Sequence, residues 1–274
     1  MFREHTPIEE YKLGDRTVFV KREDLYANLP DMPPLSKLRG IKIVLDKLHS
    51  SKVRIVGNFD TRVSKSGQGI ASICHYLYPD MNVILGYPRL KNQDGLPPQL
   101  KIAESLGAII LPLPASRLSI NYYQMRRRIL SMGGVMLPHG LPFTETAISV
   151  AEEASTVPDE LLSGTLVICT GTGTILGGVI SGLKRMPNVI GISAGKSIKE
   201  QLKRITNIVA EVNPGHLNYL QKMTLLPPIM DYYKECTVDV PFPCHPNYDA
   251  KAWFWLGEHI DELKDPILFW DIGG

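Results

Sequence analysis

No long apolar run occurs in this sequence, no cysteines pair at metal-binding spacing, and neither sign of charge dominates. Each absence excludes something. With no stretch approaching about 20 apolar residues, no segment reads as a membrane-spanning helix. The N-terminal MFREHTPIEEYKLG lacks the apolar core of a secretory leader. The expected setting is therefore reduced and cytoplasmic. Thirty basic residues against 28 acidic ones leave a net charge of +2. Such a balance argues against nucleic acid or an anionic membrane as partner. The one basic run, Arg126, Arg127 and Arg128, reads as a solvated helix face. Cys74, Cys169, Cys236 and Cys244 form neither a CxxC nor a zinc spacing, and two of them sit in apolar runs as packing residues. His216 and His245 read as surface or loop residues, so no metal site is expected.

What is present is alternation. At 274 residues and 44% hydrophobic, the chain can bury one large core or two modest ones. Short β-branched runs (RTVFVKRE, KVRIVGNF, MNVILGYP, AIILPLP, VMLPHG, GTLVICTGTG, NVIGISAG) alternate with helix-period segments (LRGIKIVLDKLHSS, GIASICHYLY, PPQLKIAESLGA, SINYYQMRRRILSMG, TETAISVAEEAST, TILGGVISGLKRM). Strands that alternate with helices of this length imply parallel sheets with crossover helices, an α/β architecture. The Pro-rich stretch from NPGHLNYLQ to PFPCHPNY shows little pattern and is expected to be irregular and wrapped around the body.

Four short stretches could carry chemistry. In PPLSKLRGIK, Lys37 stands between a serine and the first turn of a helix. In VICTGTGTILGG, an apolar strand runs into Gly171, Thr172, Gly173 and Thr174 and then into a helix. That turn exposes backbone N–H groups at a positive helix end, which suits a phosphate. The spacing is neither GxGxxG nor GK[ST], so dinucleotide and ATP sites are not indicated; a ligand-free strand–helix turn has the same composition. In TRVSKSGQGIASIC, Ser64, Ser66 and Gly67 could present donors to a carboxylate, or simply cap a helix. In HPNYDAKAWFW, Asp249 follows Tyr248 and could be an N-cap or a carboxylate aimed at a basic nitrogen. An amine, a carboxylate turn, a phosphate turn and a late Tyr–Asp pair are together the parts of a pyridoxal phosphate (PLP) site.

With these segments the chain resembles fold type II, tryptophan-synthase-β-like PLP enzymes. It is most similar to the branch of 1-aminocyclopropane-1-carboxylate (ACC) deaminase and D-cysteine desulfhydrase. VFVKREDLYA…SKLRG resembles that branch's KRED…NKxRK segment, VSKSGQGIASICHYL its QSNHxRxxAxxAxxLG segment, TGTGTILGG its phosphate loop, HPNYDAKA its DPxYxGKA, and DPILFWDIGG the segment ending in TGG. The resemblance implies Lys37 as the Schiff-base lysine and Ser64 and Tyr248 beside the substrate. It also implies Gly171, Thr172, Gly173 and Thr174 around the phosphate and Asp249 near the pyridine nitrogen. Lys65 replaces the family's asparagine and would bring a second amine near the cofactor.

The implied fold is two three-layer α/β domains with mainly parallel sheets and the PLP site in the cleft between them. Residues 1–49 and 144–274 would form the large domain and 50–143 the small one. The implied function is a lyase or deaminase acting on an amino acid, or on an amino-acid group carried by something larger. Its chemistry would be elimination, deamination or related carbanion chemistry. Relatives are usually dimers, which makes a homodimer the expected assembly. The departures are Lys65, PPLS in place of glycines before Lys37, Ile272 in place of the threonine of TGG, an end at Gly274, and a shortened stretch before HPNY. Lys65, Ile272 and the end at Gly274 support the alternative of a decayed PLP scaffold serving in binding or regulation, while the shortened stretch leaves room for an amino-acid group carried on something larger.

Overall fold

The structure is a computed structural model, and it describes residues 2–89, 95–114, 117–195 and 197–273. Gly274, the end of the DIGG motif, lies outside the described residues. The chain runs through β1 (Ile8–Leu13), β2 (Arg16–Arg22), α1 (Leu38–Ser50), β3 (Ile55–Phe59), α2 (Ser66–Leu77) and β4 (Asn82–Pro88). It continues with α3 (Pro98–Ser105), β5 (Ile109–Leu113), α4 (Leu118–Ser131), β6 (Val135–Met136), α5 (Thr144–Ala154) and β7 (Thr165–Thr170). Then come α6 (Thr174–Gly182), β8 (Asn188–Ser193), α7 (Ile198–Val212), β9 (Met223–Leu226), α8 (Asp249–His259) and β10 (Ile267–Asp271). Two compact units result: residues 1–28, 34–40 and 143–274, and residues 29–33 and 41–142.

The first unit holds a six-stranded sheet in the order β1-β2-β10-β7-β8-β9. Only the β1–β2 hairpin is antiparallel; the other pairings are parallel. The two central strands bury both faces, as period-two alternation in a parallel sheet requires. Leu166, Ile168, Leu268 and Trp270 face a core completed by Val150, Val179, Ile180, Ile205 and Val209 of α5, α6 and α7. Val167, Cys169, Ile267 and Phe269 face the opposite core, with Ala252, Trp253 and Leu256 of α8. The result is helix, sheet and helix in three layers. In α6, the glycines of LGGVISG are demanded by packing. A Cβ on Gly178 would stand 2.7 Å from the Ala147 carbonyl oxygen, and one on Gly182 would stand 1.9 Å from that of Ala151.

The second unit carries a four-stranded, all-parallel sheet in the order β5-β4-β3-β6. Phe59, Ile84, Met125, Ile129 and Met136 form its core against α4. Arg126, Arg127 and Arg128 lie on the exposed side of α4, as expected of a solvated face.

The expected strands and helices form at their places, although β6 shrinks to two residues. Pattern reading passed over β1, β9 and the whole of α7, and treated the β10 segment only as a motif. The Pro-rich stretch is mostly irregular, and it is anchored by Phe242, whose ring meets Trp253 edge-on at 5.1 Å. His245 lies in a loop, as expected, and is buried because its ring packs against Tyr248 at 4.8 Å. One detail differs from expectation. Phe254 does not join Trp253 in the core: it points outward from α8 and is exposed. Among the described residues no helix is long and apolar enough to cross a membrane.

Candidate active site

Lys37 immediately precedes α1 and is half-buried. Its two flanks are fixed to one buried carboxylate. Ser36 Oγ donates to Glu23 at 3.0 Å, and Arg39 donates to both oxygens of Glu23 at 3.0 Å each. Arg39 also pairs with Glu153 at 3.0 Å, and Glu153 in turn pairs with the buried Lys21. Thr6 closes the cluster, donating its hydroxyl to Glu23 at 2.6 Å and its amide to Glu153 at 2.9 Å. Two cations thus face two carboxylates, all nearly sealed from water, so each charge has a partner. Burial pushes the Glu153 carboxyl up, but Lys21, Thr6 and Arg39 outweigh it and hold the group below its ordinary range. The cluster gives the segment around Lys37 a rigid base.

Thr170 ends β7, and residues 171–173 turn the chain into α6. Gly173 adopts φ +87°, a left-handed conformation that glycine takes without strain. No side chain caps the start of α6, so its first amides have no intrahelical acceptor. Thr172 and Thr174 hydroxyls lie 3.0 Å apart at the same end. The backbone at Gly171 borders the Tyr248 ring, since a Cβ there would be 3.8 Å from it.

Tyr248 leads into α8, and its hydroxyl lies 2.5 Å from that of Tyr232. Tyr232 belongs to the irregular stretch and carries no sequence signal. Lys251 of α8 holds it in place, donating to the carbonyls of Asp231 at 2.7 Å and Tyr232 at 3.3 Å. Asp249, the first residue of α8, is fully buried. Its Oδ1 accepts the Ile272 amide at 3.2 Å, while Oδ2 has no hydrogen-bond donor among the described residues. The Ile272 carbonyl accepts the Ser36 amide at 3.0 Å. One residue of the DIGG motif therefore ties the Asp249 side chain to the neighbour of Lys37 through its own amide and carbonyl. Gly273 packs beneath the same segment at φ +109°, where a Cβ would fall 2.2 Å from the Pro34 carbonyl oxygen.

Lys37, the turn at residues 171–174, Tyr248 and Asp249 thus all belong to the first unit. Ser64 and Lys65 belong to the second, in the turn between β3 and α2. There the amide of Gly67 donates to Asp60 Oδ2 at 2.6 Å, and the Ser64 hydroxyl lies 3.2 Å from that of Ser66. The chain's own Asp60 occupies that helix-start amide. Among the described residues no cluster of three or more His, Cys, Asp or Glu side chains could hold a metal ion.

No family model matches the sequence. The fold is that of known structures: an ACC deaminase homologue superposes with a TM-score of 0.75 at 17% identity, covering 98% of this chain and 89% of its own. Threonine deaminase isoform 2 from Solanum lycopersicum gives 0.66 at 15%, covering 99% of this chain and 79% of its own. In sequence, the chain is 33% identical over 291 residues to the glycyl-dTMP PLP-dependent decarboxylase of Pseudomonas phage M6, with all of both chains covered. The residues present suit PLP. An uncapped helix start beside threonine hydroxyls suits its phosphate, an amine stands at Lys37, and Asp249 keeps a buried oxygen without a donor, as a ring nitrogen needs. On identity along its full length, the chain belongs to the family of PLP-dependent enzymes that includes this phage decarboxylase, built on fold type II.

Proposed function

We propose that this chain is a PLP-dependent decarboxylase acting on a glycyl group carried by a thymidine nucleotide. The observation that supports this most is the 33% identity, end to end in both chains, to the phage glycyl-dTMP decarboxylase. In this reading Lys37 supplies the amine for the cofactor aldehyde, and residues 171–174 bind its phosphate. Asp249 is the counter-charge for its ring nitrogen. When bound, the cofactor supplies an electron sink for the pair left when a bond to the α-carbon breaks.

The chain's own groups do the rest. A buried carboxylate at Asp249 would keep the ring nitrogen protonated, which suits carbanion chemistry, loss of CO2 included. As the carbon–carboxylate bond breaks and CO2 leaves, Nζ of Lys37 would return a proton to the α-carbon as general acid. Tyr248, with its hydroxyl paired to Tyr232, orients the reacting group. Ser64 and Lys65 are assigned by resemblance, Ser64 to the substrate and Lys65 to the cofactor.

A second reading is favoured by the fold: ammonia-releasing enzymes of free amino acids share it, threonine deaminase among them. One assay separates the two. The PLP-loaded protein is incubated with glycyl-dTMP, and in parallel with ACC, serine and threonine. Loss of one CO2 per nucleotide, abolished in Lys37→Ala, is the expected result. Ammonia and a keto acid from a free amino acid, with the nucleotide untouched, would sink the decarboxylase reading and favour a deaminase. A lysine-bound PLP band with turnover of none of these substrates would favour a binding scaffold.

A further inference from the structure

We propose that Asp271 is a positioning residue that holds one proton against Asp249, so that Asp249 meets the ring nitrogen of bound PLP as an anion. The proposal rests on the PLP reading of the site. Both side chains are fully buried, and the Oδ2 of each has no conventional donor among the described residues. Each Oδ1 is pinned from the DIGG backbone, Asp249 by the Ile272 amide at 3.2 Å and Asp271 by the Gly273 amide at 3.1 Å. Asp271 lies within hydrogen-bonding reach of Asp249 on one side and Asp24 on the other. Two carboxylates in contact inside a dry core cannot both be ionised without a cation between them, so one proton is shared.

The surroundings decide where that proton sits. Asp24 is gripped by Arg22, which donates to both its oxygens at 2.8 Å, and this pair balances its own charge. Asp271 touches two carboxylates and is the most costly of the three to ionise. Asp249 has a hydrogen-bonding carboxylate on one side only, while each of the two accepts one backbone amide. Cys169 from β7 and Cys244 from the segment before α8 also act on the pair; burial pushes both thiols up, so they stay neutral, and Lys251 of α8 acts on Cys169. Burial pushes both carboxyls well above the ordinary carboxylate range; at Asp249 the Ile272 amide and the hydrogen bond from Asp271 oppose that rise, whereas at Asp271 the neighbouring Asp249 and Asp24 charges add to it. The proton therefore stays on Asp271 and is donated as a hydrogen bond; no bond is made or broken.

An asparagine at 271 mimics the protonated acid, because its amide can donate to Asp249 at any pH. An alanine removes the donor. The experiment measures PLP affinity and the visible band of the lysine-bound cofactor across pH for wild type, Asp271→Asn and Asp271→Ala, with melting curves of the cofactor-free forms. Loss of a hydrogen bond to a charged group is expected to weaken PLP binding roughly tenfold to a hundredfold in Asp271→Ala. Asp271→Asn is expected to stay within about threefold of wild type. Wild-type affinity is expected to fall at alkaline pH, as Asp271 ionises, and that fall should be absent from Asp271→Asn. Equal affinity in both variants, or an unchanged alkaline limb in Asp271→Asn, would overturn the proposal. If Asp271→Ala does not fold, the pH profile of Asp271→Asn decides alone. A wild type that forms no lysine-bound PLP band defeats the reading of the site itself, a result distinct from these.

Discussion

Glu23 accepts the Ser36 hydroxyl at 3.0 Å, so the residue before Lys37 is fastened to a carboxylate that never meets solvent. The same carboxylate takes two bonds from Arg39, two positions after the lysine. An amine is thereby placed on a firmly held backbone, and on the PLP reading proposed above this positions it for capture of an aldehyde before any ligand arrives.

Glu23→Ala would leave Arg39 with one carboxylate instead of two and strip Ser36 of its acceptor. Breaking a buried pair by removing one partner costs about 3–5 kcal/mol. A denaturant midpoint measured on the cofactor-free protein is expected to fall accordingly. A loss below about 1 kcal/mol, the size of a surface pair, would show that the cluster does not stabilise this segment.

The Asp249–Asp271 pair predicts the sign of a pH effect. Burial raises both carboxyls above their ordinary 3.8. A group with a raised folded-state pKa contributes stability below its unfolded value and loses it as pH rises through the folded value. Stability of the cofactor-free protein should therefore decline on going from acid toward alkaline pH. Asp271→Asn, which cannot ionise, should flatten that decline. Parallel profiles for the two proteins would mean that the pair keeps no proton.

Gly173 is placed by backbone conformation. At φ +87° a side chain is strained by about 1–2 kcal/mol, and a Cβ would press within 3.0 Å of Ile205 Cγ1 and 3.1 Å of the Gln201 carbonyl. Gly173→Ala should lower stability by at least that much and weaken PLP binding, because the turn at residues 171–174 would move. An alanine variant with wild-type melting temperature and PLP affinity would show the turn to be tolerant and unlike a phosphate cradle.

How far the sequence alone reaches can be judged from particular residues. Parallel α/β order was legible because short apolar strands alternate with helices, and Leu166, Val167, Ile168 and Cys169 of β7 form an unbroken apolar run that only a doubly covered strand tolerates. Lys37, residues 171–174 and the Tyr248–Asp249 pair stood out because each breaks a local pattern at an element boundary. The α7 helix carries Ile205, Ile208 and Val209 at helical spacing opposite its charged residues, so its period was legible and was passed over only because it adjoins the Pro-rich stretch. Other parts were hidden for physical reasons. Asp271 looked like the end of a strand, since the carboxylate opposite it is 22 positions away in sequence. Ile272 acts through its amide and carbonyl, which no side-chain pattern records. Tyr232 sits in a stretch with no period, and only the grip of Lys251 on the carbonyls of Asp231 and Tyr232 brings its hydroxyl to Tyr248.

That hydroxyl pair gives a test of coupling between a residue the sequence marks and one it does not. At 2.5 Å the two oxygens share one hydrogen bond, so neither phenol acts alone. On the proposed reaction, Tyr248→Phe and Tyr232→Phe should each lower kcat, with little change in melting temperature because both side chains are only half-buried. If the pair works as a unit, the double variant should be no slower than the slower single variant, since the second hydroxyl has nothing left to hold. Rate losses that multiply would mean that the two phenols serve separate steps. Tyr232 would then owe its place to packing against Gly195, where a Cβ would come within 2.9 Å of its own, and only Tyr248 would belong to the site.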